Sequence, residues 1–386
     1  LCDRRQRQMC IRDSPVLLAA RNAHKGLLYA AALLDFDIRW LWPSAQAEGA
    51  LCSCPVTAEA LTGALHAMAQ QGNTPFGVYV TSPDYLGGVQ ELPALAAVCR
   101  AQGVPLLVDN AHGAYLRFLP QNCHPIAQGA AMCCDSAHKT LPVVTGGAYL
   151  HLAHDAPVQD EAAVRGALAL FGSTSPSYLI LQSLDACNAV LAGDYPRRLV
   201  QCCAALEGLR RSLNKTAAAR QCPVPLAVAG AQQEPMKLTL DAAALGCTGT
   251  ALADALRRAQ LECEYADPRY VVLMFTPENP PQDYTRLQTV LEQLLAAVPA
   301  GLLRPENRAG EFAALQQQAA QRCTIRQAVL GAQVRVPVHK ALGRVCAMPT
   351  VSCPPAIPVA VSGEEITPAA IVLMQRYGIE ELSVLR

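Results

Sequence analysis

Val104-Pro105-Leu106-Leu107-Val108-Asp109-Asn110-Ala111-His112-Gly113 is an apolar run that closes on a carboxylate, and thirty positions after Asp109 comes Lys139 in Ser136-Ala137-His138-Lys139-Thr140. A short apolar run ending in a polar cluster reads as a buried parallel strand whose last residue stands at the sheet edge. The same rhythm surrounds it. Strands are expected over 16–20, 38–41, 77–81, 104–109, 130–134 and 147–150, with helices over 24–34, 57–70 and 91–102. Strand and helix in alternation build βαβ units, hence an α/β fold with a mostly parallel sheet and helices on both faces. Ligands in such sheets bind outside the C-terminal strand ends. Ser82, Asp109 and His112 fall at or just beyond such ends, and His24 opens the helix that follows another.

Composition narrows the function. Lys plus Arg and Asp plus Glu each number 31 in 386 residues, so no global field points to nucleic acid or an anionic membrane surface. The chain is long enough for more than one domain, and 52% hydrophobic content with 16% charge indicates a well-buried interior. The apolar run 270–275 is far too short to span a bilayer. Seventeen cysteines, irregularly placed and including the neighbours Cys133-Cys134 and Cys202-Cys203, read as reduced cytoplasmic thiols acting as small hydrophobes. Cys52-Ser53-Cys54 is not a zinc knuckle.

A lysine paired with a strand-end carboxylate is what pyridoxal phosphate (PLP) chemistry needs. The amine condenses with the cofactor aldehyde, and an acid on the pyridine nitrogen keeps it protonated so that the ring draws electrons. Opposite charges about 4 Å apart at an effective dielectric near 20 interact by roughly 4 kcal/mol, about three pKa units at ~1.36 kcal/mol each. One aspartate therefore suffices. Lys139 is the expected nucleophile and Asp109 the expected partner of the ring nitrogen, although a strand-end aspartate is as often a helix or turn cap.

Five stretches occur in a fixed order: Ala20-Arg21-Asn22-Ala23-His24-Lys25; Val108-Asp109-Asn110-Ala111-His112-Gly113; Ser136-Ala137-His138-Lys139-Thr140-Leu141-Pro142 with Gly147-Ala148-Tyr149-Leu150-His151; Ser173-Thr174-Ser175-Pro176-Ser177-Tyr178; and Pro354-Pro355-Ala356-Ile357-Pro358 with Gly363-Glu364. Together, from about Pro15 to the C-terminus, they resemble the short form of the bacterial ornithine/lysine/arginine decarboxylases, which are fold-type I PLP enzymes of the aspartate aminotransferase-like fold. The resemblance implies roles. His24 would stack on the cofactor ring, Ala111 would leave room for it, and His112 would reach its phenolate oxygen. Ser136 and His138 would lie near the phosphate and the lysine, with His138 or Lys139 returning a proton to Cα. Ser173 and Thr174 would reach the phosphate of a neighbouring subunit, which makes the active site shared within a homodimer and leaves further assembly open. Glu364 would meet the distal cation of a basic amino acid. The chain departs from the family at Asn110, where Glu is usual, at Ser362, where Pro is usual, and at Ala356, where Gly is usual. The implied reaction is α-decarboxylation of arginine, lysine or ornithine to an amine, a step toward polyamines.

Residues 1–14 are set apart. They are basic, lack the design of a signal peptide, and over 8–14 back-translate to CAGATGTGTATAAGAGACAG, which resembles a transposase end sequence used in sequencing libraries. They are expected to be non-native, with the PLP-binding large domain over 15–190, truncated at its start and lacking part of the phosphate cup. A small α+β domain is expected over 191–300, and a C-terminal decarboxylase-type domain over 310–386. Within these, helices are expected over 176–191, 196–213, 251–260 and 283–297 and strands over 226–230, 236–241 and 270–275, followed by a linker over 299–310 and a proline-rich turn over 353–358.

Three alternatives stand beside decarboxylation. The same lysine and aspartate serve transamination and aldol cleavage, and a catalytically inactive relative would keep the fold. A metal site from Cys133, Cys134, Asp135 and His138 is disfavoured because adjacent strand residues point to opposite faces, so no metal is expected.

Overall fold

A computed structural model describes residues 15–43, 50–230, 232–299, 310–349 and 357–386. The segment 1–14, most of the 299–310 linker and Ala356 lie outside the described residues.

The central sheet has six strands, β1 (Val16–Ala20), β2 (Asp37–Leu41), β3 (Gly77–Thr81), β4 (Leu106–Asp109), β5 (Met132–Asp135) and β6 (Tyr149–Leu152), in the order β2-β1-β3-β4-β5-β6. The first five are parallel and β6 is antiparallel to β5. Both faces are covered, as continuous apolar strands require. In β1, Leu17 and Ala19 pack under the helix Lys25–Leu34, whereas Leu18 and Ala20 belong to the core on the opposite face. Each buried Leu contributes roughly 1.5–3 kcal/mol. Thr57 caps the helix Ala58–Gln70 through a bond from the Ala60 N–H, which fixes where the helix begins. This is the mostly parallel α/β architecture expected from the strand and helix alternation.

The sheet orders its polar residues by chain direction. All the parallel strands end on one edge, so the residues after β1, β3, β4 and β5 gather there.

Beyond it, the helices Tyr178–Ala192 and Tyr195–Ala219 lead to an antiparallel sheet of β7 (Lys237–Asp241), β8 (Tyr265–Ala266) and β9 (Tyr270–Met274), flanked by the helices Gly249–Arg258 and Pro281–Ala296. Leu199, Cys202, Leu206, Leu209 and Leu213 recur at helical spacing and are buried against it. The strand expected over 226–230 is reduced to an isolated bridge between Ala227 and Leu240. Asn214 explains this: its side-chain amide donates to the Ala227 carbonyl and accepts from the Ala227 N–H, each at 2.8 Å, so a side chain takes the place of a further strand. The helix Glu161–Phe171 was not foreseen, and it buries none of its residues in this single chain.

The last sheet pairs β10 (Gln333–Pro337) with β11 (Glu381–Leu385). It is braced by the helix Pro368–Arg376, and the helix Ile325–Leu330 packs on Lys25–Leu34. A Thr324/Gln327 capping box opens Ile325–Leu330. No helix among the described residues is long and apolar enough to cross a membrane.

Candidate active site

Three strand ends meet at Asp109. It closes β4, pairs in register with Thr81 of β3 and Cys134 of β5, and is buried. The Tyr79 hydroxyl donates to Asp109 Oδ2 at 2.9 Å and the Ala111 N–H donates to Oδ1 at 3.1 Å. These two bonds fix the carboxylate plane. Burial, followed by the Asp109 charge, pushes the Tyr79 phenol well above its ordinary range, so it remains a donor.

Lys139 lies on a single helical turn, Ala137–Thr140, just after β5. Its Nζ is 3.3 Å from Nε2 of His112. His112 is buried and its ring meets Tyr85 edge-to-face at 5.0 Å. Burial first, then the positive charges of Lys237, Lys139 and His138, hold its imidazole well below the usual histidine range. It is therefore neutral at neutral pH, and Nε2 accepts from the lysine while the proton sits on Nδ1. That Nδ1 is buried with no partner among the described residues, as are both polar atoms of the Asn22 side chain.

His24 caps the helix Lys25–Leu34, its Nδ1 accepting from the Gly26 N–H at 3.1 Å. The protein packed around it lowers its imidazole below the ordinary value despite the attraction of Asp109, and Lys139 and Lys25 add to the lowering. Asp109 and Lys139 thus both lie within electrostatic reach of His24. His138 Nδ1 donates to the Gly147 carbonyl at 3.0 Å, which leaves Nε2 as the basic nitrogen. Ser136 holds the cap position of the Lys139 turn and makes no side-chain cap bond.

Two groups of expected site residues stand elsewhere. Ser173 and Thr174 are exposed, with Ser173 Oγ engaged in its own turn by the Ser175 N–H at 3.1 Å. Glu364, expected at the distal cation of a substrate, has its carboxylate taken up by Arg21: Nη1 and Nη2 each donate at 2.7 Å, and the Val361 N–H adds a third bond at 3.0 Å. Arg21 is fully buried beneath Trp40 and Trp42, with centroids 4.9 and 4.5 Å away. The pair anchors the C-terminal segment to the end of β1, and a carboxylate so occupied is not free for a substrate's cation.

The sequence reading missed Tyr79, Tyr85 and Lys237. Tyr79 carried a signal, since it shares a face with Thr81 two residues from a strand end. Lys237 carried none: it lies in β7, yet it is buried with Nζ donating to the Asp84 carbonyl at 2.8 Å and standing 5.6 Å over Tyr85. Burial lowers its ammonium and raises the Asp84 carboxyl to about 6. The cysteine-based metal set is not assembled. Cys133 is buried on one face of β5, and Cys134 faces Asp109 on the other.

Comparison with known proteins relates the chain to amino acid decarboxylases. The family model for "Orn/Lys/Arg decarboxylase, major domain" matches residues 5–282, a span that begins inside the first fourteen residues. The uncharacterized protein YaaO of Bacillus subtilis is 29% identical over 264 residues, covering 67% of this chain and 52% of that protein, so the chain spans about half its length. An arginine decarboxylase of the same species is 27% identical over 364 residues, covering 91% of this chain and 70% of the relative. The lysine decarboxylase LdcF of Francisella novicida shares the fold with a TM-score of 0.75 at 19% identity, over 97% of this chain and 66% of that one.

The cofactor of this family is PLP, and the residues present fit it: an amine at Lys139, a carboxylate at the neighbouring strand end, the imidazoles of His24 and His112, and buried polar atoms at His112 and Asn22 that lack partners among the described residues. With the family model matched over most of the chain, the protein belongs to the Orn/Lys/Arg decarboxylase family.

Proposed function

We propose that the chain carries out PLP-dependent α-decarboxylation of arginine, lysine or ornithine. The observation that supports this best is the convergence of Lys139 and Asp109 from adjacent strand ends, with His112 3.3 Å from the amine. When bound, the cofactor supplies a sink for the electron pair left at Cα as the carboxylate leaves as carbon dioxide. Lys139 would hold the cofactor through its aldehyde. Asp109, fixed by Tyr79 and Ala111, would keep a proton at the ring nitrogen. His24 would restrain the ring. Lys139 or His138 Nε2 returns one proton to Cα, which completes the balance of amino acid plus proton to amine plus carbon dioxide. A proton kept on the ring nitrogen would make the ring a better acceptor for the electron pair, so the benefit is realised as the bond breaks.

The arginine decarboxylase relative supports a basic amino acid as substrate, and its amine product would feed polyamine metabolism. Product analysis with arginine, lysine and ornithine tests it. Amine with an equal amount of carbon dioxide is the expected result, and a keto acid in its place would move the chain to transamination.

A homodimer is part of the same reading. Leu168, Leu170, Phe171, Tyr178 and Leu179 are exposed on both sides of Ser173 and Thr174. An apolar surface of this kind marks an interaction site, and a second copy covering it would bring Ser173 and Thr174 toward the neighbouring site. Every described cysteine is free, which supports a cytoplasmic, reducing location. The division into a large domain over 15–190, a small domain over 191–300 and a C-terminal domain over 310–386 is proposed on the three separate sheets.

A further inference from the structure

On the other face of the sheet from Asp109, three side chains converge. Asp135 ends β5, His151 lies on β6, and His124 comes from the loop before β5. Nε2 of His124 and Nε2 of His151 each stand 3.0 Å from the same oxygen, Asp135 Oδ2. All three ligand atoms lie within 4.8 Å of one another. A metal ion bound at about 2.0–2.2 Å by nitrogen and oxygen needs its ligand atoms roughly 3–3.5 Å apart, so the spacing suits one ion with little movement.

The trio is held in place. The His124 backbone N–H donates to Asn122 Oδ1 at 3.1 Å, and Asp135 Oδ1 accepts from Asn110 Nδ2 at 2.7 Å. An amide at position 110 orients the carboxylate as an outer partner of a metal ligand does; a carboxylate there would repel it. His124 and Asp135 are buried and His151 is partly open, facing a cleft of about 600 Å³ whose lining also includes Arg117, Asn122 and Asn188. An ion therefore has an entry path and an open coordination position.

We propose that His124, His151 and Asp135 form a divalent-metal site of the zinc class, separate from the Lys139 site. Two imidazoles and one carboxylate suit zinc better than calcium or magnesium, which take oxygen ligands. The Cys133 thiol, 3.7 Å from His124 Nε2, stands beside the trio and is not one of the ligands.

The test is metal analysis of the full chain, stripped with chelator and dialysed against zinc chloride, beside His151→Asn and Cys133→Ser. One tightly held ion is expected in the unmodified chain and in Cys133→Ser, with affinity in His151→Asn lower by more than the ~10–100-fold attached to loss of an outer partner. Cobalt(II) titration of the unmodified chain provides a readout independent of variant folding: four-coordinate visible bands without a thiolate charge-transfer band at the first equivalent. No tightly bound ion, equal binding by His151→Asn, or a thiolate band at that equivalent would each overturn the proposal; the first would leave the trio as a hydrogen-bond network.

Discussion

Lys139 Nζ stands 3.3 Å from Nε2 of His112, so the amine shares its polar contact with a buried, neutral imidazole rather than with the carboxylate of Asp109. Asp109 is thereby left to Tyr79 and the Ala111 N–H on the far side of the site. The amine and the acid thus have separate polar partners.

His112 makes stability depend on pH. Its folded value lies well below the ordinary one because of burial, so near and below pH ~6.5 the unfolded chain binds a proton that the folded chain does not. Its contribution is full above that pH and is lost as the pH falls through it, by at most about 1.4 kcal/mol per pH unit. Urea unfolding of the wild type and His112→Gln at pH 7.5 and 5.5 is expected to show the wild type losing more stability on acidification. Equal losses would remove His112 as the cause.

Asp109→Asn removes the charge and keeps one oxygen, which can still accept from the Ala111 N–H, while its amide nitrogen becomes a donor toward the Tyr79 hydroxyl. Decarboxylation is expected to fall by on the order of 10²–10⁴-fold, with the melting temperature little changed. A rate within a few-fold of wild type would show that the ring-nitrogen charge is not needed.

Arg21 and Glu364 form a fully buried bidentate pair. Removing one partner strands a charge, so Arg21→Met or Glu364→Gln alone is expected to cost about 3–5 kcal/mol. Arg21→Met with Glu364→Leu is expected to cost less than the two single changes added together. Denaturant unfolding of the four proteins gives the coupling energy, and simple additivity would show that the pair does not anchor the C-terminal segment.

How much of this was legible depended on sequence distance. β1 and β3 were readable with their observed limits because their apolar residues are contiguous and both faces are buried. Asp109 and Lys139 were readable because each follows a short strand directly. Nothing local marked Glu364 as the partner of Arg21, 343 positions away, and an acidic residue near a family motif was assigned to a substrate instead. The bridge at Ala227 depended on Asn214, thirteen positions earlier on a long helix. The His124, Asp135 and His151 trio is made by β5–β6 pairing and one loop, whereas the expected metal set followed chain adjacency, which alternates faces in a strand.

Leu179 is 73% exposed in the single chain, beside Tyr178 at 84%. If a second copy covers them, Leu179→Glu places a charge inside an apolar interface. Sedimentation velocity is expected to show the dimer dissociation constant raised about tenfold or more, the equivalent of ~1.4 kcal/mol. An unchanged distribution would place the interface elsewhere.

The central claim is that Lys139 is the amine that holds the cofactor. The most direct measurement is borohydride reduction of the chain incubated with PLP, followed by peptide mass spectrometry. The account expects a pyridoxyl group on the peptide containing Lys139 and its loss in Lys139→Ala. An adduct on Lys237, a buried lysine nearby, or no adduct at all, would contradict it.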